Sequence, residues 1–222
     1  MTTRRSDGKE TRKKLLEAAG KVFAAKGFRD ARVSEICLVA QANIAAVNYH
    51  FGSKEGLYIE TWRYLFERSI EVHPPDGGVP AVAPIAERLR GRISALIYRI
   101  LDPSNLEFQI AHKELASPTG LLSEIMSSSI EPLRQAFTRV VREYLGPAAT
   151  EEAVQLCELS IHAQCFFLVH HRRAPESTAE KKSLAFCALQ CGTAAVVEHI
   201  IRFSFGGLSA YRLEATTLTD NR

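Results

Sequence analysis

No proline interrupts the first 73 residues, and the nine that follow stand at 74, 75, 80, 84, 103, 118, 132, 147 and 175. Proline lacks a backbone donor and clashes with the preceding helical turn, so it marks helix starts and stops rather than interiors. Between these marks the apolar residues recur at three- and four-residue spacing. No stretch sustains the period-two alternation of a half-buried strand, and no Asn-Gly or Asp-Gly turn joins two such stretches. The pattern predicts an all-α chain.

A first helix is expected over about 9–26, with Leu15, Leu16, Ala18, Ala19, Val22 and Phe23 as its apolar stripe and Gly27 as its stop. A short helix over 33–40 should turn Val33, Ile36, Val39 and Ala40 inward. A turn of Gln41, Ala42 and Asn43 leads to a second short helix over 44–50, which Asn43 should cap. Ser53 is placed to cap the next helix, 54–72. His73 to Pro80 reads as a linker. Further helices are expected over 84–101, 106–116, 119–145 (interrupted or kinked at Pro132 and stopped at Gly146-Pro147), 150–172 and 178–205, about nine in all. Two short helices joined by about three residues, behind a longer one, have the size and order of a helix-turn-helix unit.

Composition narrows the class. With 46% hydrophobic and 24% charged residues over 222 positions, the bulk of the chain can bury a core and is not disordered. The most apolar run, Cys165 to Val169, is far short of the ~20 residues a bilayer requires, so no membrane span is expected. The start, MTTRRSDGKETRKK, has no apolar h-region and does not read as a secretory signal. Five cysteines, at 37, 157, 165, 187 and 191, sit in apolar helical patterns, which suits buried thiols in a reducing cytoplasm. No CxxC occurs, so neither Cys157, His162 and Cys165 nor Cys187 and Cys191 read as a metal site, and no cofactor is expected.

The net charge of +3 is unevenly spread. Residues 1–56 carry eleven Lys/Arg against six Asp/Glu, whereas the remaining 166 carry 17 against 19. A basic head on a slightly acidic body suits binding to nucleic acid. Within that head, Ala45 and Ala46 are small enough to let a helix approach base edges, and Asn48 can read one. Tyr49, His50 and Lys54 can reach backbone oxygens. Arg32, Ser34 and Asn43 complete the candidate set, with the basic arm at 4–14 as a further phosphate contact or a solvated terminus.

The run ARVSEICLVAQANIAAVNYHFGSKEGLY, 31–58, resembles the DNA-binding head of TetR/AcrR-type transcriptional regulators, through Ile36-Cys37, the Tyr49-His50-Phe51 cluster and Ser53-Lys54-Glu55-Gly56-Leu57. LLEAAGKVFAAKGF, 15–28, resembles the family's first helix. The chain departs from the family at Gln41, where a turn glycine is usual, at Arg32, where Thr or Ser often precedes the second helix, and at Ile44, Ala45 and Ala46, which are often polar. A left-handed Gln41 would carry a modest strain cost.

Beyond the head, residues 108–137, 157–172 and 199–208 resemble the regulators with a CecR-like C-terminal domain. The resemblance implies a three-helix DNA-binding domain over 1–56 and a larger helical ligand-binding and dimerisation domain over 57–222. It also implies a homodimer through the last two helices, double-stranded palindromic operator DNA as partner, and an unidentified small-molecule effector, the whole acting as a repressor. Trp62, Phe108, His112, Met126, Phe137, His162 and Phe166 are the pocket candidates, with core packing as the plainer role for Trp62. A helical protein-interaction module and an enzyme with a helical body are the other classes. No nucleophile triad, phosphate loop or HExxH helix supports the enzyme.

Overall fold

The computed structural model describes residues 3–171 and 192–220. All regular structure among them is helical: α1 Thr3–Asp30, α2 Val33–Ala40, α3 Ile44–Phe51, α4 Lys54–Val72, α5 Ile85–Leu101, α6 Glu107–Ala116, α7 Ser123–Leu145, α8 Glu151–His171 and α9 Thr193–Asp220. The chain forms two compact units. One comprises Met1–Val72 with Pro103–Ser129, the other His73–Asp102 with Ile130–Arg222. The functional division expected at 56/57 falls within α4, inside the first unit.

The first unit is built on the stripe of α1. Leu15, Leu16, Ala19, Val22 and Phe23 are buried against Ile36, Val47, Leu57, Tyr58 and Trp62. Helical geometry breaks at Gly27, whose φ of 76° is open to glycine at little cost. On α2 the buried residues are Ile36, Cys37 and Ala40, while Val39 is 50% exposed. Positions 33, 36, 37 and 40 share one stripe of an α-helix and 39 falls off its edge, which is why the inward reading of Val39 fails. α6 also belongs to this unit: it packs on α1 and α4 and contributes Ile110 to the same core.

The second unit packs α5, α8 and α9 together, with the later turns of α7 supplying Phe137, Val140, Val141 and Tyr144. α7 continues through Pro132 without a break. The carbonyl that loses its helical donor there belongs to Ser128, which is exposed. α9 runs to Asp220, well beyond the expected end near 205. The expected start of that helix, 178–191, lies outside the described residues, as do Cys187 and Cys191.

The 73–80 segment, expected as a linker, folds tightly onto α5. His73 Nε2 lies 2.9 Å from Asp102 Oδ2 across the ends of this hairpin. A Cβ built on Gly91 would meet Val79 Cγ2 at 2.6 Å and the Asp76 carbonyl oxygen at 2.7 Å, and one on Gly77 would meet the Gly91 oxygen at 2.5 Å. Glycine within a helix costs about 1 kcal/mol relative to alanine, so Gly91 is explained by this close approach. Gly91→Ala is expected to destabilise the protein by ~1–2 kcal/mol despite its better helix propensity, because overpacking outweighs propensity. Urea unfolding with an unchanged slope and a lower midpoint would record it.

Candidate nucleic-acid interface

α3 presents the chemistry expected of a recognition helix. Val47 is 1% exposed and anchors the helix to the core, while Phe51 packs against the same cluster. Asn43 caps the N-terminus: its side-chain oxygen accepts from the Ala45 N–H at 3.0 Å. This leaves Ala45, Asn48 and Tyr49 on the open face, with Tyr49 85% exposed and Ala46 and His50 half-buried. The Tyr49 and His50 rings meet edge to face at 4.9 Å, and the His50 ring lies 6.0 Å from Phe51.

The turn that orients α3 against α2 rests on Gln41, which adopts φ 53°, ψ 43°, with its N–H directed to Cys37 and Leu38 carbonyls. A left-handed non-glycine residue costs about 1 kcal/mol, so the turn is imposed by the packing of α2 and α3 rather than by local preference. Arg32 stands at the N-cap of α2 in extended conformation, with no side-chain capping bond. Its guanidinium carries donors only and so cannot cap the helix N–H groups. Arg32 and Ser34 line the same shallow depression as Lys26, Asp30, Glu35 and Leu38. Lys26 is committed there to Glu35 at 2.7 Å.

Ser53 caps α4 as expected, its Oγ accepting from the Gly56 N–H at 3.1 Å. Lys54 at the start of α4 is half-buried. Its Nζ sits 4.5 Å from the Phe28 ring centroid and donates to the Arg29 carbonyl at 3.4 Å. The side chain is thus held in place by α1 before any ligand arrives. Arg12 makes the corresponding link on the other side, 5.3 Å from the Phe51 ring centroid and 2.7 Å from Glu60. Sequence patterning does not reveal Arg12 and Phe28 as the supports of the surface, because an isolated Arg or Phe on α1 reads as solvated or core.

The pocket candidates divide between the units. In the first, Trp62 is buried and stacks on Phe66 at 5.1 Å, its indole N–H without a hydrogen-bond partner. Met126 packs on the same core, Phe108 is half-buried and His112 exposed. In the second, Phe137, His162 and Phe166 come together. The imidazole lies 4.7 Å from Phe137 and 5.9 Å from Phe166. Glu158, which the sequence did not single out, joins them. Among the described residues no three His, Cys, Asp or Glu side chains gather to hold a metal ion, and no helix is long and apolar enough to cross a membrane.

A capped short helix with Ile44, Ala45, Asn48 and Tyr49 on its open face, set on a three-helix core and joined to a helical body, has the form of a helix-turn-helix transcriptional regulator, a DNA-binding protein. The profile of the tetR family of bacterial regulatory proteins matches residues 15–61, and that of the C-terminal domain of the HTH-type transcriptional dual regulator CecR matches residues 85–208. The chain belongs to the TetR family, in the branch with the CecR-type C-terminal domain. It is 31% identical to the dual regulator CecR of Shigella flexneri over 65% of its own length and 69% of that protein. Its head is 39% identical over 56 residues to the transcriptional repressor NicS of Pseudomonas putida, covering 25% of this chain and 26% of that protein. Among solved structures, a TetR-like regulator from Rhodococcus sp. RHA1 superposes with a TM-score of 0.64 at 16% identity, covering 90% and 96% of the two chains. AibR, solved with isovaleryl coenzyme A and operator DNA, gives 0.65 at 14% identity over 86% and 96%.

Proposed function

We propose that the protein acts in the cytoplasm as a homodimeric repressor that holds palindromic operator DNA through residues 1–56 and releases it when a small molecule binds the body formed by residues 57–222. The observation that carries the DNA half is the capped, outward face of α3, with Ala45, Asn48 and Tyr49 exposed beside a pre-positioned Lys54. In this reading Asn48 reads a base edge and Ala45 and Ala46 permit close approach. Arg32, Ser34, Asn43, Tyr49, His50 and Lys54 hold phosphates.

Dimerisation is supported by apolar side chains left open on the second unit. Leu156, Leu159, Phe166 and Phe167 on α8 are between 44% and 64% exposed, and Phe203 on α9 is 64% exposed. They recur at helical spacing on faces turned away from the core, and a contiguous apolar face of this kind marks a protein contact. A second copy of the chain, presenting the same two helices about a two-fold axis, covers it. A two-fold dimer places its recognition helices on half-sites about one DNA turn, or a multiple, apart.

An effector acts by differential affinity: it shifts the protein toward whichever conformation it binds better, and operator affinity falls to the extent that the other one holds DNA. The relatedness to AibR in fold, and that protein's crystallisation with both an acyl coenzyme A and operator DNA, support this arrangement. The DNA half is tested by operator titrations across salt. Lys54→Ala is expected to weaken specific and random DNA alike and to lower the salt slope by ~1, whereas Asn48→Ala should lose ~1–3 kcal/mol at particular base pairs with the slope unchanged. An unaltered slope for Lys54→Ala would remove its phosphate role. Equal losses on every sequence would remove Asn48 from readout.

A further inference from the structure

The first turn of α3 consists of Ile44, Ala45 and Ala46, and none of the three carries a polar side chain. Two of its backbone donors are already taken. Asn43 accepts from the Ala45 N–H through its side-chain oxygen at 3.0 Å and from the Ala46 N–H through its carbonyl oxygen at 2.9 Å. Ala46 packs against the core of the first unit, whereas Ala45 is exposed and Ile44 is 50% exposed. Ile44 is thus the one large side chain in that turn, and half of its surface is bare. Asn48, one helical turn on and on the same side of α3, is exposed as well.

In a helix-turn-helix unit the N-terminal residues of the recognition helix meet base edges in the major groove. Most groups there are polar: ring nitrogens, carbonyl oxygens and exocyclic amines. An isoleucine laid on such a group strips it of water and returns no hydrogen bond, which is costly. One base-edge group is apolar, the C5-methyl of thymine. Against that methyl, Ile44 removes apolar surface from water on both sides of the contact. Its β-branch restricts χ1, so little rotamer freedom is lost when the contact forms. Cytosine, the other pyrimidine, lacks the methyl and presents an amino donor that an isoleucine cannot satisfy.

We infer that Ile44 is a specificity-determining residue, selecting a thymine in each operator half-site through its C5-methyl group. This rests on the reading of α3 as the helix that enters the major groove and adds what its first turn reads there. Asn48 supplies the hydrogen bonds to base edges that the first turn lacks.

The test uses the full-length protein and an operator obtained by repeated selection from random duplexes. Each thymine of a half-site is replaced in turn by uracil, which removes the methyl and leaves every hydrogen-bonding group in place. At one position the exchange is expected to weaken binding about fourfold, and roughly fifteenfold when made in both half-sites, the factors for exposing one and two methyl-sized groups. At that position 5-methylcytosine should be bound more tightly than cytosine. Ile44→Ala should hold the thymine and uracil operators within about 1.5-fold of each other with its salt slope unchanged, since no phosphate contact is lost. Ile44→Val should keep part of the preference. A residue that merely supported the fold would weaken both duplexes alike, and the wild-type series needs no variant to fold. Selected operators whose thymines all tolerate uracil, or a methyl dependence that survives Ile44→Ala, overturn the role of Ile44 and leave the DNA-binding reading standing. Random duplexes that yield no preferred sequence overturn both.

Discussion

Leu159→Glu combined with Phe203→Glu is expected to convert the protein into a folded monomer that holds operator DNA about a hundredfold more weakly. Leu159 and Phe203 are each 64% exposed in the single chain, so a charge there disturbs little intramolecular packing. The cost to folding should stay within ~0.5 kcal/mol, as for other surface positions. The cost to association is larger. On α8 the open stripe follows Leu156, Leu159, Ala163 and Phe166, and on α9 it follows His199, Phe203, Gly206 and Ala210, so both substitutions fall near the middle of their faces. A two-fold interface doubles every change, placing four carboxylates in a region that should exclude water. A monomer then engages one half-site and loses the effective concentration that linkage supplies, typically about 10²-fold or more. Sedimentation velocity should give a single species of 24.6 kDa mass with unaltered helical circular dichroism. Dimers persisting at micromolar protein would show that another surface makes the contact.

The head was legible because its chemistry is local. Asn43, Ser53 and Gln41 each act on backbone groups within three or four residues, so a short window of sequence contains both donor and acceptor. Chain breaks at Gly27 and Gly146 were legible for the same reason, both having positive φ. What stayed hidden depends on partners distant in the chain. Gly91 looks like a poor choice for a helix until Asp76 and Val79 are seen against it. Glu158 carries no mark in the α8 sequence, although Thr138 donates to it and His162 faces it from one turn on. The grouping of α6 with α1 and α4 left no trace either, since the apolar stripe of a helix says how much it buries and not against what.

That grouping yields the second large effect, at Glu114. The carboxylate is 8% exposed near the end of α6, and its Oε1 accepts from the backbone N–H groups of Thr119 at 2.8 Å and Gly120 at 3.0 Å and from the Thr119 hydroxyl at 2.8 Å. Its Oε2 accepts from the Tyr58 hydroxyl at 3.1 Å. Burial and the adjacent Glu114 charge push the Tyr58 phenol well above its ordinary pKa, so Tyr58 remains a donor throughout the working pH range. One side chain therefore ties α6, the loop after it and α4 together, and the Tyr58 ring continues the link to Phe23 at 4.8 Å and Phe28 at 5.0 Å. Glu114→Ala strands several donors at once, each of which costs ~1–3 kcal/mol when buried without a partner. Water entering the loop recovers part of this, so a net loss of about 3 kcal/mol is expected, or roughly 6–12 °C in Tm for a chain of this size. Tyr58→Phe removes one donor and leaves the backbone bonds to Glu114 in place, so it should cost ~1 kcal/mol. The two substitutions share a hydrogen bond, and the double variant should therefore lose less than the sum of the singles. Additive losses in urea unfolding would mean that Glu114 braces only its own loop and that α6 is held to α4 by apolar packing alone.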